Sequence, residues 1–215
     1  MDFEFIKEFV PIYVEAAILT LKLAFLGIIF SIIIGLLISW IKILKFKFIS
    51  KISDIYIEIS RNTPLLIQLF FLYYALPKIG IKFSSFECGV IGLAFLGGSY
   101  MAESFRLGFE SVKKQQIEAG LSIGLSKNQL IIYVILPQAF RVAFASISAN
   151  IIFLLKETSI VSVVALADLV YTAKDIIGIY YMTNEALFML VVAYLIIILP
   201  LSLILGFVEK RLNHA

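Results

Sequence analysis

The chain has 215 residues, 61% of them hydrophobic and only 15% charged, with a formal net charge of +3 and a mean hydropathy of +1.03. A soluble domain is about half apolar and one quarter charged, so this composition marks an integral membrane protein, read as one domain over residues 1–215. The small positive charge gives no reason to expect nucleic acid. A lone Cys88 and a lone His214 exclude both a disulfide framework and a zinc-type site.

The N-terminus is acidic (Asp2, Glu4, Glu8) and lacks the basic start of a cleaved signal peptide, so the first apolar segment is expected to stay. Leu23–Trp40 carries no charge and, with the turns back to about Val14, is long enough to span a bilayer. Lys22 can snorkel at its outer end. Lys42, Lys45, Lys47 and Lys51 form a basic loop that the positive-inside rule places in the cytoplasm, which leaves the N-terminus outside. Ile52, Ile55, Tyr56 and Ile59 then share one helical face, opposite Asp54, Glu58 and Arg61, as in an amphipathic turn-in at the membrane surface. Pro64 suits a first helical position, with Asn62 or Thr63 as cap. A helix from Pro64 to Leu76 rises only about 20 Å, so the second span has to include the amphipathic residues and bend at Pro64. Pro77–Phe86 reads as a short outer turn. The third span, about Val90–Phe109, carries Gly92, Gly97 and Gly98 for close helix contact, and Glu103 and Arg106 one turn apart.

Lys113 and Lys114 mark a return to the cytoplasm and open a polar loop of about 113–130. Glu118 is expected in the first turn of a short helix, where the dipole favours a carboxylate. Gly124 can end that helix in a left-handed conformation. Ser126 with Gln129 forms a capping-box pattern for the next helix, and Pro137 is expected to kink it. Leu130–Leu155 is the fourth span, carrying only Arg141. Lys156–Glu185 is a mixed outer segment, and Leu187–Val208 is the fifth span, kinked by Pro200 before Glu209-Lys210-Arg211. The expected fold is therefore all-α with about five transmembrane helices. No internal repeat is visible, which weakens an inverted-repeat transporter.

No chemistry is legible. Gly120-Leu-Ser-Ile-Gly124 lacks both the spacing and the Gly-Lys-Ser/Thr ending of a phosphate loop, and no His, Cys or carboxylate cluster suits hydrolysis. Glu58 and Arg61 read as a local surface pair worth little. Glu103 is different, because an ionisable group in a span is costly and so a functional hypothesis by default.

Four segments in order resemble the polar amino acid permeases of the ABC-importer superfamily, the histidine, glutamine, arginine and cystine uptake group. They are Tyr56 to Tyr73; Tyr100-Met-Ala-Glu103-Ser-Phe-Arg106-Leu-Gly108; the loop Glu118-Ala119-Gly120, Gly124, then Leu136-Pro137; and Gln138-Ala139-Phe-Arg141 on to Asn150 and Leu155-Lys156-Glu157-Thr158-Ser159. The third resembles the EAA loop, whose short cytoplasmic helix docks on an ATPase. Gln115 and Gly120 depart from the Gly and Ala common there. Ala145 and Ser146 stand where a Pro is usual, which bears on the kink of the fourth span.

The resemblance implies a type I ABC importer permease in the bacterial inner membrane. Its coupling residues would be Glu118, Ala119, Gly120, Gly124, Leu136 and Pro137. Its substrate path would include Gln68, Tyr100, Glu103, Asn150, Lys156 and Glu157, the last two supplying one charge of each sign for a zwitterionic amino acid. No cofactor is expected in this chain, ATP-Mg being held by the partner. The implied partners are two ABC ATPase subunits, a second permease chain (identical or paralogous), an extracytoplasmic amino acid binding protein and the lipid bilayer. The rival readings are a stand-alone ion-driven carrier or channel, with Glu103 as its ion site, and a non-transporting membrane scaffold.

Overall fold

Asp2 sets the first element. Its carboxylate accepts from the backbone N–H groups of Glu4 and Phe5, at 3.0 and 3.1 Å, and so starts α1 (Phe3–Ile43) eleven residues ahead of Val14. The computed structural model describes residues 1–44 and 47–214; Lys45 of the expected basic loop lies outside them. At 41 residues, α1 is about 60 Å long, roughly twice the hydrocarbon core. The acidic start, expected to be a flank, is helix because Phe9 and Tyr13 on it are buried against residues 169–189.

The second span forms as a composite. α2 (Lys47–Asn62) stops at the Thr63-Pro64 break, and α3 (Leu65–Phe70) runs on through a π-turn, Phe71–Ala75, and a 3-10 turn, Leu76–Ile79, to Gly80 at φ +90°. This broken rod lies antiparallel along α4 (Ser85–Glu110): Ile57 packs with Ala102, Ser60 Oγ donates to Ser99 Oγ at 3.0 Å, and Leu65 and Leu69 cover Gly92. The expected cap at the break is not found. Pro64 precedes the helix with no side-chain cap, and Asn62 Nδ2 donates back to the Glu58 carbonyl. The carbonyls of Ser60 and Thr63, freed by the break, are instead satisfied by Gln68 Nε2 at 3.2 and 3.0 Å.

α4 also starts earlier than expected, because Ser84 and Glu87 close a capping box ahead of Val90. Its small residues let α1 approach: a Cβ on Gly97 would collide with Ser31, and one on α1's Gly35 would collide with Met101. After α4 come α5 (Lys114–Ser122), α6 (Lys127–Leu130), a second π-turn (Ile131–Ile135) and α7 (Leu136–Glu157). α7 runs unbroken through Ala145 and Ser146. A 3-10 turn, Thr158–Val164, leads to α8 (Leu169–Tyr180) and then α9 (Thr183–His214), which is one helix across Pro200. Among the described residues, four helical stretches are long and apolar enough to cross a membrane, and the composite rod adds the shorter apolar stretch Leu65–Ile79 beside α4.

The two ends of the bundle differ. The end away from the α5 loop, the far end, joins the start of α1 to the starts of α8 and α9: Tyr13 Oη donates to the Ala186 carbonyl at 2.7 Å, and the Leu169 N–H to Thr20 Oγ1 at 3.2 Å. The middle holds the main core, with Leu23, Leu69, Leu93, Met101 and Val161 fully buried.

Candidate functional site

Two groups of residues carry the functional expectations: the loop around α5 and a polar seam in the middle of the bundle.

Lys113 precedes α5 without a side-chain cap, so the helix begins at Lys114 and Glu118 sits in its second turn, not its first. Gly124, at φ +84°, ends it. Its N–H donates to the Leu121 carbonyl at 3.0 Å while the Leu125 N–H donates to the Gly120 carbonyl at 3.1 Å, a Schellman stop that glycine adopts without strain. Ser126 and Gln129 form the expected capping box, at 2.9 and 3.3 Å. Gly120 explains its own departure from alanine. It is buried, and a Cβ there would stand 2.5 Å from Leu130 Cδ1, so glycine lets α5 seat directly on Leu130. Glu118 and Ala119 are exposed, as are Leu121 and Ile123, the latter at 78%. Leu136 and Pro137 are separated from this face by the π-turn, and Pro137 follows that turn inside one continuous helical stretch, Lys127–Val164.

The seam is built by α2, α4 and α7. Asn150 Nδ2 donates to Ser104 Oγ at 2.8 Å and to the Tyr100 carbonyl at 3.4 Å, and Ser104 shares a hydrogen bond with Ser146 at 2.8 Å. Half-buried Glu103 takes Arg106 at 2.6 Å, and Arg106 reaches Glu110 at 2.7 Å. Arg61 does not pair with Glu58. Its guanidinium stands 5.2 Å over the Tyr100 ring and 4.0 Å from Glu103 Oε2, an arrangement that combines cation–π and ionic attraction. Periodicity showed Arg61 only as a surface charge, because its partners come from a helix forty residues on. Gln68 lies at the Pro64 break beside a cavity of about 440 Å³ that Thr63, Phe71, Gly92 and Phe95 also line; its Oε1 is buried with no partner among the described residues.

The structure therefore brings Tyr100, Glu103 and Asn150 together and links Gln68 to them through Ser60 and Ser99. Glu157 lies seven residues beyond Asn150, on the same face and roughly 10 Å further along α7. Lys156 does not join them; it lines a groove with Tyr194, Leu195 and Leu199 of α9. Asp168, in the mixed segment Lys156–Glu185, is fully buried at the far end. Its Oδ1 caps α8 on the Tyr171 N–H at 2.8 Å, and its Oδ2 has no partner among the described residues. Burial pushes its carboxyl up to about 6 despite the helix amides and Lys174. No group of three metal-ligating side chains occurs among the described residues.

The family of binding-protein-dependent transport system inner membrane components matches residues 27–214. The probable amino-acid ABC transporter permease PatM of Vibrio harveyi is 33% identical over 217 residues, covering 100% of this chain and 97% of that protein. The L-cystine transport system permease TcyB of Bacillus subtilis is 34% identical, with 97% and 89% covered. Among solved structures, an amino acid ABC transporter crystallised with histidines superposes with a TM-score of 0.91 at 34% identity, over 98% of this chain and 99% of that one. The MetNI methionine transporter, at 17% identity and a TM-score of 0.77 over 95% and 98%, shares the fold.

Proposed function

We propose, for a chain that belongs to the family of binding-protein-dependent transport system inner membrane components, the role of permease subunit in an ATP-driven amino acid importer. The observation that carries this reading is the α5 loop: a short helix ended by a Schellman glycine, seated on Leu130 and presenting Glu118, Ala119, Leu121 and Ile123 outward. A separate ATPase subunit docks on that face and moves it. A second permease chain completes the path, and a binding protein delivers substrate at the far end. The basic residues Lys42, Lys113 and Lys114 support a cytoplasmic loop end and an N-terminus outside.

The seam supplies the recognition chemistry. Arg61, partly exposed over Tyr100, suits a substrate carboxylate; Glu103 suits its ammonium; Gln68 and Asn150 supply neutral hydrogen bonds. Lys156, on the α9 side, leaves the carboxylate role to Arg61, while Glu157 extends the path along the Asn150 face. Charge-assisted bonds in a dry site are worth about 1.5–3 kcal/mol. Glu103→Gln keeps the shape and removes the charge, so uptake in proteoliposomes should fall at least tenfold while the amount of folded transporter holds. Normal uptake at normal expression ends the substrate role of Glu103. A joint loss of folded protein in Glu103→Gln and Arg106→Gln assigns the pair to bracing α4.

A further inference from the structure

Two π-turns occur in this chain, and both stand in one register against a proline. In Phe71–Ala75 the Leu76 N–H reaches back five residues to the Phe71 carbonyl, and Pro77 follows. In Ile131–Ile135 the Leu136 N–H reaches back five residues to the Ile131 carbonyl, and Pro137 follows. The cause is steric. A proline ring within a helix strikes the carbonyl four residues back and offers no N–H to it, and one widened turn moves that carbonyl aside, Tyr73 in the first case and Tyr133 in the second.

The surroundings then diverge. Behind Pro77 the helix ends at Gly80, so that widened turn transmits nothing onward. Behind Pro137, α7 continues for two more decades of residues, and the turn is bridged by Gln138, whose Nε2 donates to the Val134 carbonyl at 2.9 Å. Both flanks of this second turn are held. Leu130, just before it, is buried under Gly120 of α5; Ala139, just after it, is buried against Gly108 of α4, where any Cβ would strike its carbonyl. Between these two clamps Ile132, Tyr133 and Leu136 are exposed at 55%, 70% and 40%.

We propose that the Ile131–Ile135 π-turn is a register joint between the α5 loop and α7, with Pro137 and Gln138 as its positioning residues. When the loop is driven, the Leu136 N–H exchanges the Ile131 carbonyl for that of Ile132 and the Pro137 ring is pressed against the Tyr133 carbonyl, so the widened turn re-forms once the drive is released. The loop then turns against α7 by about one residue, roughly 100° and 1.5 Å, while Ala139 and Gly108 keep α7 fixed on α4. This inference rests on the coupling reading above.

The test uses the assembled transporter, with its ATPase and binding protein, in nanodiscs, comparing Pro137→Ala, Gln138→Met and Pro77→Ala. Amide exchange across Leu130–Gln138 reports the register, and ATPase stimulation by substrate-loaded binding protein reports coupling. In the native chain, exchange in this stretch changes at least fivefold between nucleotide-free and ATP-bound states. Pro137→Ala, which permits the ordinary helix register, flattens that change and cuts stimulation at least fivefold; Pro77→Ala keeps stimulation within twofold. If Pro137→Ala does not assemble, Gln138→Met carries the same expectation. Stimulation within twofold of native in a variant whose exchange change has been flattened overturns the joint, as does a native chain with no exchange change on ATP binding. Absence of stimulation in the native chain refutes the coupling reading itself and is told apart by that control.

Discussion

The far end and the α5 loop are the two places where the chain leaves its central core, and they are held in opposite ways. At the far end, residues 2–20 are tied to residues 168–186: the Asp2 N–H donates to Glu185 Oε1 at 3.0 Å, Tyr13 reaches Ala186, Thr20 reaches Leu169, and Phe5 and Phe9 enclose Tyr180. These three hydrogen bonds span 149 to 183 residues. Around α5 the polar bonds are local caps and turn closures, and the outward face carries exposed Leu121 and Ile123. A short helix of this length is marginal on its own, so its shape rests on Gly120 against Leu130. The chain completes its own far end and leaves a firm but small apolar face at the other, which is what docking of a moving partner requires.

The contrast breaks most severely at Gly120. A valine there overpacks the Leu130 contact and costs about 1–3 kcal/mol, so ATPase co-purifying with Gly120→Val in detergent should fall roughly tenfold, at unchanged permease yield. Equal recovery of the ATPase would mean that this contact does not shape the docking face.

At the far end the expected effects fall on stability. The folded chain holds the Asp168 proton more tightly than the unfolded chain does, the carboxyl standing near 6 against 3.8. Its contribution is therefore complete below 3.8 and is lost as pH rises through about 6, by at most ~3 kcal/mol. Thermal unfolding in detergent should occur at higher temperature at pH 5 than at pH 7, and Asp168→Asn should remove most of that difference. An equal slope in the variant would assign the pH dependence to other groups. Tyr13→Phe gives the smallest expected change, about 1 kcal/mol from one lost buried hydrogen bond. It should lower the melting temperature slightly and leave co-purification of the ATPase untouched; an effect on co-purification would join the two ends that are separated here.

The sequence carried much of this layout, and its misses have physical causes. The composite second span followed from length alone, since Pro64 to Leu76 cannot cross a bilayer. The glycine stop and the Ser126–Gln129 box were readable because both are local chemistry. The extension of α1 to Phe3 was hidden, because the burial that stabilises it comes from residues near 186. Arg61 was hidden for the same reason: its ring and carboxylate partners lie on α4. Lys156 and Glu157 looked like a pair because they are adjacent, yet adjacent residues on a helix point about 100° apart, and one faces α9 while the other follows Asn150. Gly120 stood only as a departure from alanine, because the Leu130 contact that accounts for it comes from the next helix.

The central claim is that this chain couples a separate ATPase through the loop that Gly124 closes. At φ +84° a β-branched residue is strained whatever space surrounds it, so Gly124→Val deforms the end of α5 without a collision elsewhere. The direct measurement is the ATPase rate in nanodiscs with and without substrate-loaded binding protein, for the native chain and for Gly124→Val. The account predicts stimulation in the native chain and its loss in the variant. Equal stimulation in both would contradict it.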